Sequence, residues 1–128
     1  LVLPVDLHGM PDFNIPTDKA IAEKAAALIL DDLSNVYSIS QLAAEVGTVP
    51  HRLRRAFKKR HGESLTVFSR KARMEKAKQL LLETNNTLQV IAETMGYSEG
   101  NNFHASFKKA TGQSPGEWRK KAWEADSN

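Results

Sequence analysis

The 128-residue chain has no cysteine. That absence removes disulfides, thiolate nucleophiles and thiolate zinc sites, and it is compatible with a reducing compartment. Proline is scarce outside the beginning: of five prolines, Pro4, Pro11 and Pro16 fall in the first sixteen residues. No apolar run approaches the ~20 residues that span a bilayer, and nothing at the start has the layout of a secretory signal, so no membrane partner and a cytoplasmic location are expected. Metal-ligand clusters are missing too. His8 and His61 have no carboxylate or histidine partner at ligand spacing, and the adjacent Asp31 and Asp32 cannot share a helix face as a catalytic pair would. No nucleophile with a base and no phosphate-cradling loop is visible. The expectation is a non-enzyme with no catalytic residue, no metal and no cofactor.

What is present is ordinary in bulk and uneven in place. Hydrophobic residues make up 41% and charged residues 26%, the balance of a globular domain. The net charge of +3 is spread unevenly: residues 1–49 sum to −5, residues 50–78 to +9, and residues 79–107 contain no lysine or arginine at all. A dense cationic stretch behind an acidic one points toward a polyanion, although a solvated helix face gives the same count.

Punctuation residues divide the chain into helices, with no convincing strand. The opening LVLPVDLHGMPDFNIP lacks a helical period and reads as an extended tail or linker over residues 1–16. Because the chain opens on Leu1 without an initiator methionine, it is expected to be a piece of a longer protein. From Thr17 or Asp18, either able to cap, a helix follows with Ile21, Ala25, Leu28, Ile29 and Leu33 on its apolar stripe. A short helix at about 40–46 stops at Gly47, and Pro50 opens another that runs to about His61 before Gly62. Ser64 caps a long helix over about 65–83, with Leu65, Phe68, Ala72, Ala77, Leu80 and Leu81 as candidate core. Thr87 caps a short helix at about 88–95, a further one covers about 99–111 up to Gly112, and Ser114-Pro115 starts the last, ending near Glu124.

A repeat runs through this plan. Leu42-Ala43, Val46-Gly47, Phe57-Lys58-Lys59, Gly62 and Ser64 recur as Ile91-Ala92, Met95-Gly96, Phe107-Lys108-Lys109, Gly112 and Ser114. The spacings agree except between glycine and phenylalanine, where the second copy is one residue longer, as an insertion in a turn would make it. Short helix, glycine turn and second amphipathic helix form a helix-turn-helix unit. The alanine permits close helix crossing, the glycine a left-handed backbone, and the phenylalanine anchors the second helix, whose opposite face is then open to a major groove. Two such units are expected at about 40–61 and 88–111. The helix between them, about 19 residues at ~1.5 Å each, extends ~28 Å, close to the ~34 Å between successive major-groove segments on one face of DNA. The competing reading is a basic helical interaction module that binds an acidic protein without sequence-specific DNA binding.

With Arg73-Met-Glu-Lys-Ala77-Lys-Gln-Leu80-Leu81, Ile91-Ala92, Met95-Gly96-Tyr97, Phe103, Phe107-Lys108-Lys109, Gly112, Ser114-Pro115 and Trp118-Arg119, the chain resembles the AraC/XylS family of bacterial transcription regulators from about Lys19 to Trp123. The resemblance implies an all-α fold of about seven helices, with two helix-turn-helix subdomains joined by a long central helix. It makes residues 17–128 one DNA-binding domain and implies an effector or oligomerisation domain upstream. Double-stranded DNA is the implied partner, with RNA polymerase a further candidate. Carried over by position, Arg54 and Arg55 become guanine readers through their bidentate forks, and His51 a base or phosphate contact. Asn101 and Asn102 would read adenine, with His104 beside them. Arg52, Lys58, Lys59, Lys108 and Lys109 are expected at phosphates, and Arg73 either there or in an intrahelical pair. Gly100 and Ala105 offer only backbone or methyl contact, so the first unit is expected to supply most of the specificity.

Overall fold

The computed structural model describes residues 15–97 and 99–126, except for the side chain of Asn101. The expected tail over residues 1–16 therefore lies almost wholly outside the described residues. Seven helices and no strand are found among them: α1 (Asp18–Asp31), α2 (Ile39–Val46), α3 (Pro50–His61), α4 (Leu65–Glu83), α5 (Leu88–Thr94), α6 (Gly100–Thr111) and α7 (Pro115–Asp126).

The caps explain where the helices begin. The Thr17 hydroxyl accepts the Ala20 amide at 3.0 Å, which settles the choice between Thr17 and Asp18. Helix α2 starts one residue earlier than expected. Ser38 caps it rather than the chain entering at Ser40, and the Gln41 side chain returns a bond to the Ser38 amide in a reciprocal capping box. Pro50 opens α3 after an extended Val49, where a missing amide hydrogen loses no bond.

The helices form two compact units, with the division inside α4. Of the described residues, one unit comprises those up to Asp31 together with Tyr37–Phe68, and the other comprises Asp32–Val36 together with those from Ser69 onward. In the first unit α1 packs chiefly on α3. Its interior is built from Ile21, Ala22, Ala25, Ile29, Leu42, Ala43, Val46, Leu53, Ala56 and Phe57. The many alanines let helix axes approach closely, and Leu28, expected on the same stripe, is only half-buried, while Leu33, also expected there, lies past the end of α1 and in the other unit. In the second unit Met74, Ala77 and Leu81 of α4 meet Ile91, Ala92, Met95, Phe103 and Phe107, with Leu80, Tyr97 and Trp118 against the margin. Met74 was not among the expected core positions, whereas Leu65, Phe68, Ala72 and Leu80 are half-buried.

The repeat read from the sequence is a repeat in space. Gly47 and Gly96 share the left-handed backbone, with φ of +80° and +85°. Pro50 follows Gly47 by three positions and Gly100 follows Gly96 by four, so the extra residue lies in the turn. The likeness extends to aromatic packing: Phe57 meets Phe68 edge-on at 5.2 Å, and Phe107 meets Trp118 edge-on at 6.1 Å.

One arginine closes the second unit in a way that the sequence pattern does not suggest. Arg119 of α7 donates to the carbonyls of Leu81, Thr84 and Asn86 at 2.9, 3.1 and 2.7 Å. It thereby satisfies acceptors at the end of α4 that have no helical donor. Its guanidinium also lies 4.9 Å from the Trp123 ring, and the partial burial that this requires lowers its pKa.

Candidate nucleic-acid interface

Helix α3 carries eight basic or imidazole side chains among twelve residues, and its seat on α1 sorts them. Three face α1 and are engaged there. Arg52 pairs with Asp18 at 2.9 Å and donates to the Pro16 carbonyl at 2.7 Å. Arg60 pairs with Glu23 at 3.0 Å. His61 donates from Nε2 to the Ala22 carbonyl at 3.0 Å and lies 4.3 Å from the Phe57 ring. The other five, His51, Arg54, Arg55, Lys58 and Lys59, recur at helical spacing on the opposite face and line one open concavity.

That face is exposed throughout. No carboxylate pairs with Arg54, Lys58 or Lys59 among the described residues. The nearest internal engagement is between Arg55 Nη1 and His51 Nε2, at 3.4 Å. Five like-charged or chargeable groups held together without an acid repel one another, and a row of phosphates would relieve that repulsion. Arg52, expected at a phosphate, is held by Asp18 and the Pro16 carbonyl on the α1 side and is half-buried.

Helix α6 presents its own face by the same construction. Gly100 and Phe107 stand fifty positions after Pro50 and Phe57, so His104 corresponds to Arg54, Ala105 to Arg55, and Lys108 and Lys109 to Lys58 and Lys59. Phe103 and Phe107 are buried, and Asn102, His104, Ala105, Lys108 and Lys109 are exposed on the other side. The side chain of Asn101 lies outside the described residues. The lysines and arginines thus occupy only the C-terminal turn of α6, whereas in α3 they begin at the third residue.

Arg73 makes no intrahelical ion pair among the described residues. Its guanidinium lies 5.9 Å from the centroid of the Tyr97 ring, and its Nε is buried without a partner. That places a half-buried cation beside the turn between α5 and α6. Gln89 of α5, not singled out from the sequence, places its carboxamide oxygen about where a side chain on Gly100 would begin, 3.0 Å from a β-carbon built there. Among the described residues no group of histidines and carboxylates could hold a metal ion, and no helix is long and apolar enough to cross a membrane.

Comparison with known proteins places this geometry. A family profile described as a helix-turn-helix domain matches residues 42–121. The C-terminal domain of AraT, a response regulator from Geobacillus stearothermophilus, is 34% identical. The match covers 79% of this chain and 84% of that one, with a TM-score of 0.76. The DNA-binding domain of AdpA, a global transcriptional factor solved in complex with a target DNA, is 21% identical, with coverage of 80% and 92% and a TM-score of 0.74, and shares the fold. The HTH-type transcriptional activator RhaR of Klebsiella pneumoniae is 27% identical over 104 residues, 81% of this chain and 37% of that protein. The chain spans well under half the length of the first curated relatives it matches, at 37%, 13% and 27%.

Proposed function

Because the chain belongs to the AraC-type helix-turn-helix family of transcription regulators, we propose that it binds double-stranded DNA in a sequence-specific manner as the DNA-binding part of a bacterial regulator. Helices α3 and α6 are its two recognition helices and enter successive major grooves. The observation that carries this reading is the sorting of the basic and imidazole side chains on α3: Arg52, Arg60 and His61 are engaged on the α1 side, and His51, Arg54, Arg55, Lys58 and Lys59 are exposed together on another face. A helix that needed its charges only for solubility would have no reason to separate them in this way.

Arg54 and Arg55 read guanine edges, and His51 contacts a base or phosphate beside them. Asn101 and Asn102 pair with adenine, with His104 at the same edge. Lys58, Lys59, Lys108 and Lys109 hold the backbone, where contacts position the protein without selecting sequence. Arg52 acts indirectly by fixing the pose of α3, and Arg73 either reaches a phosphate or braces the α5–α6 turn through Tyr97. The protein carries out no chemical conversion and works in the cytoplasm, where its DNA is. RNA polymerase and an upstream effector or oligomerisation domain complete the proposed regulator. The bifunctional activator and DNA repair enzyme AdaA of Bacillus subtilis matches over only 33% of its length.

Selection of bound duplexes from a random pool, followed by footprinting on the winner, tests the proposal. The expected result is one enriched bipartite sequence protected over two adjacent major-groove segments, more strongly under the first unit. Absence of measurable binding to any duplex at low salt would overturn it and favour an acidic protein as the partner of the basic face.

A further inference from the structure

The second recognition helix is poor in cations where the first is rich, yet a hydrogen-bonding group stands in front of it. Gln89, the second residue of α5, is exposed and bonds to no described residue. Its carboxamide oxygen lies over Gly100, the first residue of α6. A β-carbon added at Gly100 would come within 3.0 Å of it, closer than ordinary van der Waals contact. Gln89, Gly100 and His104, together with Leu88, Phe103 and Pro115, line a concavity of about 210 Å³.

The corresponding place in the first unit is built differently. With Leu42-Ala43 set against Ile91-Ala92, Ser40 matches Gln89 and Pro50 matches Gly100. The first unit has a short hydroxyl side chain and a proline at these positions, and the second has a long amide whose oxygen lies where a Gly100 side chain would be. The amide brings two N–H donors and no charge.

We propose that Gln89 is a DNA-backbone ligand of the second unit, donating an amide N–H to a phosphate oxygen beside α6. A phosphate is favoured over a base because Gln89 belongs to the first helix of its unit, the one that crosses the backbone, while base edges are met by the recognition helix. Neutral side chains, glutamine included, regularly make such phosphate contacts. The inference rests on the DNA-binding reading above and deepens it: the second unit holds the backbone partly with a neutral donor.

Anisotropy titrations of the whole chain on the selected duplex and on a scrambled one, across a salt series, test this. Gln89→Ala is expected to weaken both complexes by a similar factor, about 2- to 10-fold for one hydrogen bond. It should leave the slope of log K against log salt unchanged, because no charge is removed. Gln89→Glu keeps the shape and adds a negative charge, so it should lose more on both duplexes. Gly100→Ala should weaken binding in the same direction by displacing the amide. Unchanged binding of Gln89→Ala would overturn the inference, as would a loss confined to one base-pair variant, which would make Gln89 a base reader. A loss that tracks a lowered thermal midpoint would also overturn it, by marking a packing role. If the unaltered chain bound no duplex, the DNA-binding reading itself would fall, an outcome distinct from normal binding by the variant.

Discussion

Phe57 and Phe107 are each the eighth residue of their helix, each is fully buried, and each meets an aromatic side chain edge-on from the next helix. Three residues before each of them the units diverge: Arg54 stands bare on one helix and His104 on the other. One scaffold thus carries two chemistries. Because the anchored face and the open face of a helix are different residues, substitution on one leaves the other free. The scaffold half of this comparison would break if the phenylalanines were unequal. Phe57→Ala and Phe107→Ala should each cost roughly 3–5 kcal/mol. Urea unfolding, followed by resonances from both units, should show the loss centred on the altered one.

The turn glycines sharpen the comparison, since they share a backbone and differ in surroundings. Gly47→Ala places a β-carbon in ordinary contact with Pro16, so its cost is the left-handed backbone alone, about 1–2 kcal/mol. Gly96→Ala suffers the same strain, and its β-carbon would in addition overlap the Ser34 carbonyl oxygen. The displacement adds roughly 1–3 kcal/mol. Equal midpoints for the two variants in thermal unfolding would show that the segment 32–36 yields freely.

At the open faces the expected differences concern DNA. Arg54→Ala should cost about 1–3 kcal/mol on the selected duplex and relax discrimination at one position, while Lys58→Ala should weaken all duplexes alike and reduce the salt slope by about 1. His104→Ala should fall below Arg54→Ala on the same duplex, because an imidazole lacks the bidentate fork that fits guanine. The reverse order, read from the same titrations, would move the main reader to the second unit.

Much of the scaffold was legible because glycine, proline and small hydroxyl residues act locally. The bounds of α3 and α4 coincide with those read from Pro50, Gly62 and Ser64, and the extra residue of the second copy lies in the turn as its spacing implied. What escaped is long-range. Arg52 looks like any other cation in a basic helix until Asp18 and the Pro16 carbonyl, more than thirty positions earlier, are brought beside it. Arg119 caps a helix that ended more than thirty positions before it. Arg73 finds Tyr97 in place of an intrahelical acid. No period or spacing encodes such meetings, so sequence located the recognition helices but could not tell which of their cations were already spent.

The smallest expected effect lies at the caps that follow the two recognition helices. Ser64 accepts the Val67 amide at 3.2 Å and receives nothing in return from that apolar side chain. Ser114 accepts the Glu117 amide at 3.2 Å, and the Glu117 carboxylate takes the Ser114 amide at 3.0 Å. The Ser114 backbone and side-chain bonds hold the Glu117 pKa below its ordinary value. A lowered folded-state pKa means that this carboxylate stabilises the fold fully above the pKa of an unfolded glutamate, about 4.3. That contribution is lost as pH falls through the lower folded value. The start of α7 should therefore loosen in acid, while the start of α4, whose cap contains no titrating group, should not loosen for this reason. Carboxyl carbon shifts of Glu117 and amide exchange at Ser114, followed from neutral pH to about pH 3, would report it. Glu117→Gln preserves the returned bond without a charge, as Gln41 does for Ser38, and should flatten the acid response of α7. An unaltered response in that variant would mean that another carboxylate governs it and that the two caps are equivalent after all.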